Sequence, residues 1–178
     1  NLGLHFPNLP ISFITPPMTG PNESHLLSTT EFHQTIDNIK AQDSAGVFIF
    51  EPMAQGVAGM RFLCPKTLSS LIKMAKENNI LCIADEVMTG MGRTGKNFAS
   101  DYLERDAQPD IVCLSKGITG GYLPLGLTIC RDFIYNRFLS ERKQDALLHG
   151  HSYTGNALSC SLAVTATSMI QESFWQDK

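Results

Sequence analysis

The stretch ILCIADEVMTGMGRTG, residues 80–95, joins a short apolar run to two adjacent carboxylates and a glycine-rich segment. The run ILCIA is typical of a buried strand, and Asp85 and Glu86 follow it directly. Burying an unpaired carboxylate is unfavourable. An acid at the end of an apolar strand therefore indicates a positively charged partner nearby, and the glycines that follow predict a loop.

Strand and helix patterns alternate on both sides of this stretch. VFIF at residues 47–50 predicts a fully buried strand, and residues 65–77 predict a helix that starts with proline at its first position. DIVCL at residues 110–114 and LGLTIC at residues 125–130 predict two further strands. This order is typical of an α/β domain with a mainly parallel sheet.

Three more helices are predicted outside this central part. The pattern SxxE at residues 28–31 is typical of a helix start and predicts a helix through about Ala41, with Ile36 on its apolar face. DFIYNRFLSER at residues 132–142 predicts a second helix. Residues 156–172 predict a third, which is rich in small residues and is therefore expected to pack closely against its neighbours.

The composition excludes several classes of function. A chain of 178 residues with 43% apolar content is long enough for one globular domain with a core. The net charge of -3 and the lack of a basic cluster argue against nucleic acid or an anionic membrane as partner. No apolar run approaches a membrane span. The five cysteines form no CxxC pair, so we expect no metal site and interpret them as reduced core residues of a cytoplasmic protein.

Polar side chains follow three of the predicted strands. Glu51, Asp85 and Lys116 each come after an apolar run, and ligands of open α/β sheets bind beyond the carboxyl ends of the strands. Lys116 precedes four glycines within ten residues. A lysine shielded from water has a lowered pKa and can act as the nucleophile in Schiff-base chemistry. The alternative is a lysine that neutralises phosphate or pairs with Asp85.

Asp85 has the same two kinds of interpretation. A cofactor with a protonated ring nitrogen would supply its positive partner, whereas a helix N-cap or a structural ion pair would need no ligand. HGHSYTGN at residues 149–156 precedes the last predicted helix and offers hydroxyls for a phosphate, or forms a simple turn with an N-cap. GMGRTG at residues 90–95 lacks the lysine of a phosphate-binding P-loop.

Three motifs together resemble a known family. IADEVMTGMGRTG, DIVCLSKGITGGYLPLG and HGHSYTGNALSC, in this order, are similar to the class III pyridoxal-phosphate (PLP) aminotransferases of fold type I. EPMAQGVAGM fits the preceding strand end of the same family. SKGITGGYLPL and HGHSYTGN most resemble the members that convert 8-amino-7-oxononanoate to 7,8-diaminononanoate in biotin synthesis. The resemblance implies the partial large domain of a fold type I PLP-dependent transferase, which has a mainly parallel sheet with helices on both faces.

The resemblance implies three roles at the first two motifs. Lys116 is expected to be the catalytic lysine, which bonds covalently to PLP and moves the proton during transamination. Asp85 is expected to bind the pyridine nitrogen of PLP, and Val87 to pack against the face of its ring.

The third motif implies contacts between two copies of the protein. Gly150 is expected near the substrate, and His151 and Ser152 near the cofactor phosphate of the partner subunit in a homodimer. Glu51 and Arg93 match recurrent family positions and are expected to have supporting roles. The partners implied are small molecules, namely the amino donor and the keto acceptor.

The resemblance also implies a part of a larger enzyme. Residues 1–178 are expected to be the central part of the PLP-binding large domain, with the upstream phosphate loop and the C-terminal small domain outside them. Little or no activity is expected from this chain alone. The expected amino donor is S-adenosylmethionine or lysine. Two alternatives stay open: another class III ω-aminotransferase, of the ornithine, acetylornithine or 4-aminobutyrate type, and an inactive remnant that acts at most as a binding domain.

Overall fold

A computed structural model of the chain describes residues 46–172, together with Ile11, Phe13 and five residues between positions 30 and 37. These five residues are helical. Ile36, which is 3% exposed, belongs to the core, as its predicted position on an apolar helix face requires. The rest of that predicted helix, including its start, lies outside the described residues.

The described elements alternate along the chain. The strands are β1 (Val47–Phe50), β2 (Ala54–Gln55), β3 (Arg61–Phe62), β4 (Leu81–Asp85), β5 (Ile111–Leu114) and β6 (Leu127–Cys130). The helices are α1 (Pro65–Glu77), α2 (Asp132–Tyr135) and α3 (Ala157–Glu172). Short 3₁₀ turns occupy Ala99–Tyr102, Arg105–Ala107, Lys116–Thr119, Asn136–Phe138 and Lys143–Asp145.

A four-stranded sheet in the order β1-β4-β5-β6 forms the centre. β1, β4 and β5 are parallel, and β6 is antiparallel to β5. In the register of the sheet, Ala84 lies opposite Phe50 on one side and Val112 on the other. β2 and β3 form a separate small antiparallel pair. The predicted α/β class and the mainly parallel sheet are confirmed.

Helix α1 covers one face of this sheet. It starts at Pro65, as predicted, because proline fits the first turn of a helix, where its missing N–H is not needed. Its apolar stripe, which includes Leu68, Leu71 and Ile72, is buried in the same cluster as Cys82. Each fully buried leucine or isoleucine contributes roughly 1.5–3 kcal/mol to stability, so this interface accounts for much of the described core.

The opposite face of the sheet is less covered. Val47 is 54% exposed and Ile49 is 49% exposed, so the prediction of a fully buried first strand is wrong. The reason is that β1 is the outer strand of the described sheet and α1 packs on the other face. Ile83 and Cys113 on this second face are half-buried. Within residues 46–172, no helix packs across it.

The C-terminal helices differ in how well they were predicted. The helix predicted over residues 132–142 is wrong in length, since α2 ends at Tyr135 and a 3₁₀ turn follows. Short helices need a buried face to be stable, and these residues are mostly exposed. Helix α3 is confirmed, but it packs closely only against the turn Lys116–Thr119. In the described part of the chain, no helix is long and apolar enough to cross a membrane.

Candidate active site

Asp85 and Lys116 lie at the same edge of the sheet. Asp85 is the last residue of β4 and lies opposite Cys113 of β5, and Lys116 follows Cys113 by three positions. The two strands are parallel and adjacent, so their carboxyl ends meet at this edge. The structure thus brings together the two residues on which the sequence prediction depends.

The Asp85 carboxylate has no positively charged partner among the described residues. Its Oδ1 atom accepts a hydrogen bond of 3.0 Å from the Val87 N–H, which is the geometry of an Asx turn rather than a helix N-cap. Burial, together with the nearby Asp85 charge, raises the pKa of the Cys113 thiol. The carboxylate is half-buried and uncompensated by any described cation. Its second oxygen is therefore suited to a ligand with a protonated nitrogen.

The neighbouring carboxylate, Glu86, is buried and fully hydrogen-bonded. The side chain is 1% exposed. Its Oε2 atom accepts the Ala99 N–H at 2.7 Å, and its Oε1 atom accepts the Ser100 N–H at 2.9 Å and the Ser100 hydroxyl at 2.5 Å. Sequence reasoning missed this role, because the donors lie 13 and 14 residues further along the chain and no local pattern indicates them.

Lys116 has an unusual backbone. Its φ angle is +45°, in the left-handed region that non-glycine residues seldom occupy. The Ser115 hydroxyl donates a 2.7 Å hydrogen bond to the Leu125 carbonyl, which closes the loop between β5 and β6. Gly120, with φ of +62°, ends the 3₁₀ turn that Lys116 begins. Strained residues cluster at functional sites, so the strain at Lys116 supports a function for its side chain.

The Lys116 amine is uncommitted but exposed. Within the described residues it makes no hydrogen bond and no ion pair, so the predicted alternative of a pair with Asp85 is not seen. The side chain is exposed to solvent. The expected shielding from water is therefore not provided by residues 46–172.

Lys116 lines an open cavity of about 610 Å³. Its wall includes Lys116, Arg93, Tyr122 and the backbone of Gly120 and Gly121. Small-molecule sites commonly fall between about 300 and 1,000 Å³, so the space is sufficient for a cofactor. Arg93 was expected only in a supporting role and Tyr122 was not predicted at all. Tyr122 directly follows Gly120 and Gly121, which both have positive φ angles.

Residues 149–156 form a local turn before helix α3. The Thr154 hydroxyl accepts the His151 N–H at 3.0 Å, and the Nδ1 atom of His151 accepts the Tyr153 N–H at 3.1 Å. Gly150, His151 and Ser152 are exposed and do not line the Lys116 cavity. Their predicted contacts with a partner subunit's cofactor stay a prediction. The part of the chain that the structure describes contains no group of three potential metal ligands.

Glu51 follows the neighbouring strand β1 and has a structural contact. Its Oε2 atom accepts the Gly56 N–H at 2.9 Å and so holds the loop after β1. It pairs with no described cation. This contact agrees with the supporting role expected for Glu51.

The residues present fit pyridoxal phosphate. The group needs an amine for covalent attachment, an acceptor for its pyridine nitrogen and room for a substituted ring. Lys116 offers an amine without a partner, Asp85 on the adjacent strand end offers a carboxylate without a cation, and the cavity offers the space. The first two side chains lie at neighbouring strand ends, and Asp85 is not among the residues that line the Lys116 cavity.

Comparison with known proteins defines the class. The sequence profile of class-III aminotransferases matches residues 4–178, and the chain belongs to this family. It is 44% identical over 135 residues to the adenosylmethionine-8-amino-7-oxononanoate aminotransferase of Synechococcus elongatus, a match covering 76% of this chain and 31% of that protein. The chain therefore spans about a third of the length of this relative.

Solved structures give the same result. The adenosylmethionine-8-amino-7-oxononanoate aminotransferase from Methanocaldococcus jannaschii matches with a TM-score of 0.71 and 42% identity, over 79% of this chain and 33% of that one. The ornithine aminotransferase from Toxoplasma gondii, whose active site holds PLP at partial occupancy, matches with a TM-score of 0.65 and 28% identity. That match covers 79% of this chain and 30% of the Toxoplasma chain.

Proposed function

We propose that this chain is part of a PLP-dependent aminotransferase that converts 8-amino-7-oxononanoate to 7,8-diaminononanoate in biotin synthesis. The amino donor in this proposal is S-adenosylmethionine or lysine. The observation that carries the substrate assignment is the 44% identity to a relative with that name. The uncommitted Lys116 amine, which follows the strand adjacent to the one that ends at Asp85, supports the class of chemistry.

When bound, PLP supplies an aldehyde carbon that exchanges the amino group and a pyridine ring that accepts electrons. Lys116 would hold the cofactor through its Nζ atom before the substrate binds, and the same amine, once released, would move the substrate proton. The strained backbone of Lys116 and the hydrogen bond of the Ser115 hydroxyl fix the position of the Lys116 backbone, from which the amine extends. Pre-organisation of this kind reduces the entropy lost when reacting groups are brought together.

Asp85 has the role of keeping the pyridine nitrogen protonated. Its carboxylate is held by the Val87 N–H on one oxygen and leaves the other for the ring nitrogen. The same hydrogen bond fixes the backbone of Val87 relative to Asp85, which supports packing of the Val87 side chain against the ring. A carboxylate at this nitrogen favours its charged form, and the charge is what makes the ring accept electrons.

We further propose that the groups that shield the Lys116 amine from water come from outside the described residues. In this proposal the enzyme is a cytoplasmic homodimer, and Gly150, His151 and Ser152 lie at the substrate and cofactor phosphate of the partner subunit. The support is that these three residues are exposed and lie before a helix that packs on the Lys116–Thr119 turn. Helix starts suit phosphate groups.

The domain organisation is proposed on the same basis. Residues 1–178 form the central part of the PLP-binding large domain, and segments outside them supply a phosphate loop and a small domain that binds the substrate carboxylate. The matches that cover about a third of each relative support this arrangement. Little or no turnover is expected from residues 1–178 alone, because the described cavity is open and Lys116 is exposed.

The first test is a visible absorption spectrum of the chain with PLP, followed by borohydride reduction and mass spectrometry. We expect an absorption band and a reduced adduct on Lys116 in the parent chain, and neither in Lys116→Ala. Lys143→Ala is the matched control, since Lys143 is exposed in a distant 3₁₀ turn. An adduct spread over several lysines, or one that survives Lys116→Ala, would contradict the proposal.

A second candidate keeps the chemistry and changes the substrate. The structural match to an ornithine aminotransferase favours it, although the identity of 28% is lower than the 42% of the oxononanoate enzyme. The whole protein that contains this chain should be assayed with 8-amino-7-oxononanoate and with ornithine. Turnover with ornithine alone would replace the proposed substrate, and no turnover with PLP bound would favour the inactive remnant.

A further inference from the structure

Glu86 is a buried carboxylate that the proposed mechanism does not use. Its side chain receives three hydrogen bonds from Ala99 and Ser100. Its own N–H donates to the Cys113 carbonyl at 2.9 Å, and its carbonyl accepts the Gly90 N–H at 3.0 Å. No described cation pairs with it. The residue is thus linked to β5, to the turn after it and to a distant 3₁₀ turn.

These contacts join the two ends of one loop. The residues between Glu86 and Ala99, numbers 87–98, are called the 87–98 loop below. Glu86 is bonded to β5 before the loop begins, and its carboxylate binds the first two residues after the loop ends. Inside the loop, the Gly92 N–H donates to the Asn97 carbonyl at 3.0 Å. The Glu86 carboxylate binds both residues that follow the loop, and the Tyr102 hydroxyl, which donates to the Thr94 carbonyl at 2.7 Å, adds a second link.

The closed loop forms part of the cavity wall. It carries Arg93, which lines the Lys116 cavity. It also contacts the lysine turn directly, since a Cβ atom added at Gly117 would lie 2.8 Å from the Cβ atom of Met91. Movement of this loop would change both the wall of the cavity and the support of the residue next to Lys116.

We infer that Glu86 is a positioning residue that holds the 87–98 loop closed and so keeps Arg93 and Lys116 in place around the cavity. It acts through the loop and touches no reacting group. The use of the cavity for PLP rests on the proposed function, but the closing of the loop does not. A carboxylate suits this role because both of its oxygens accept, and hydrogen bonds to a charged acceptor are stronger than neutral ones.

The first test is limited trypsin digestion of the chain. Arg93 and Lys96 are exposed trypsin sites within the loop. In Glu86→Gln, the NH₂ group faces one of the backbone N–H donors and cannot accept its hydrogen bond. We therefore expect the loop to open and cleavage after Arg93 and Lys96 to accelerate by about tenfold or more. This is the factor by which loss of one charged hydrogen bond changes an equilibrium constant. Cleavage after Lys143, in a distant turn, should stay within about twofold of the parent chain.

The matched control is Glu104→Gln, which makes the same change at an exposed acid. It should leave cleavage in the 87–98 loop unchanged. Unchanged loop cleavage in Glu86→Gln would overturn the inference. Equal acceleration at Lys143 would also overturn it, because Glu86 would then stabilise the whole fold and not the loop.

A second measurement separates positioning from stability. The visible band of added PLP is titrated in the parent chain and in Glu86→Gln. We expect the variant to need about tenfold more PLP, and saturating PLP to restore trypsin resistance of the loop. An unchanged titration with an opened loop would overturn the positioning role. If the parent chain binds no PLP, the proposed function fails for this chain, and the digestion result alone decides whether Glu86 closes the loop.

Discussion

Replacement of Asp110 should show how much one buried carboxylate contributes to the sheet. Asp110 precedes β5 and is 8% exposed. Its Oδ2 atom accepts the Cys82 N–H at 3.0 Å, and its Oδ1 atom lies 3.6 Å from the Lys76 Nζ atom and 3.4 Å from the Arg131 Nε atom. One side chain therefore links β4, β5, helix α1 and the residue after β6.

The expected loss follows from these contacts. Asp110→Ala leaves the buried Cys82 N–H without an acceptor, which costs about 1–3 kcal/mol. The ion pairs with Lys76 and Arg131 are partly exposed, so solvent screening limits each to about 0.5 kcal/mol. We expect the free energy of unfolding to fall by about 2–4 kcal/mol for Asp110→Ala. Asp110→Asn keeps an oxygen for Cys82 and should lose only about 1 kcal/mol.

The assay is urea unfolding of both variants and the parent chain, monitored by circular dichroism. The slopes of the free energy of unfolding against urea concentration are compared to check that the same structure unfolds. Asp106→Ala is the control, since Asp106 is an exposed acid paired with Lys73 and should change stability little. Equal losses for Asp110→Ala and Asp110→Asn would refute the reasoning, because the buried acceptor would then contribute nothing.

Three further outcomes are expected. Gly117→Ala should lower the free energy of unfolding in urea by about 1–3 kcal/mol, because the new Cβ atom would lie 2.8 Å from the Cβ atom of Met91. Adding Met91→Gly should restore stability, and a double variant as unstable as Gly117→Ala would contradict the clash. Iodoacetamide should label exposed Cys160 first and buried Cys82 only on unfolding, as read by peptide mass; early labelling of Cys82 would contradict its burial. Burial raises the pKa of the Cys82 thiol to about 12. The thiol therefore loses its proton in the unfolded state first, and the free energy of unfolding should fall between about pH 9 and 12, by up to about 1.4 kcal/mol per pH unit. Cys82→Ala should flatten this pH dependence in unfolding curves, and an unchanged slope would contradict the assignment.

The sequence predicted the regular elements that have a buried face. Helix α1 starts at Pro65 and ends at Glu77, as its apolar stripe indicated, because that stripe packs on the sheet. The helix over residues 132–142 was predicted too long, because its apolar residues find no described neighbour to pack against. Periodicity shows which residues can be buried, whereas the partner that buries them decides whether the helix forms.

The candidate site was predicted in the same uneven way. Asp85 and Lys116 were found because parallel strands bring their carboxyl ends to one edge. Tyr122 in the cavity wall and the closing contacts of Glu86 were missed. Both depend on chain segments that meet only after folding, and Glu86 reaches donors 13 and 14 residues away. Single-residue patterns contain no information about such distant partners.

The backbone of Lys116 has a consequence for how the gene can change over time. A left-handed conformation costs an L-residue with a side chain about 1–2 kcal/mol, whereas glycine adopts it freely. Replacement of Lys116 by glycine would relieve this strain, and the greater freedom of glycine in the unfolded chain would offset part of the gain. Where no selection acts for an amine at this position, the folded backbone therefore favours glycine over lysine.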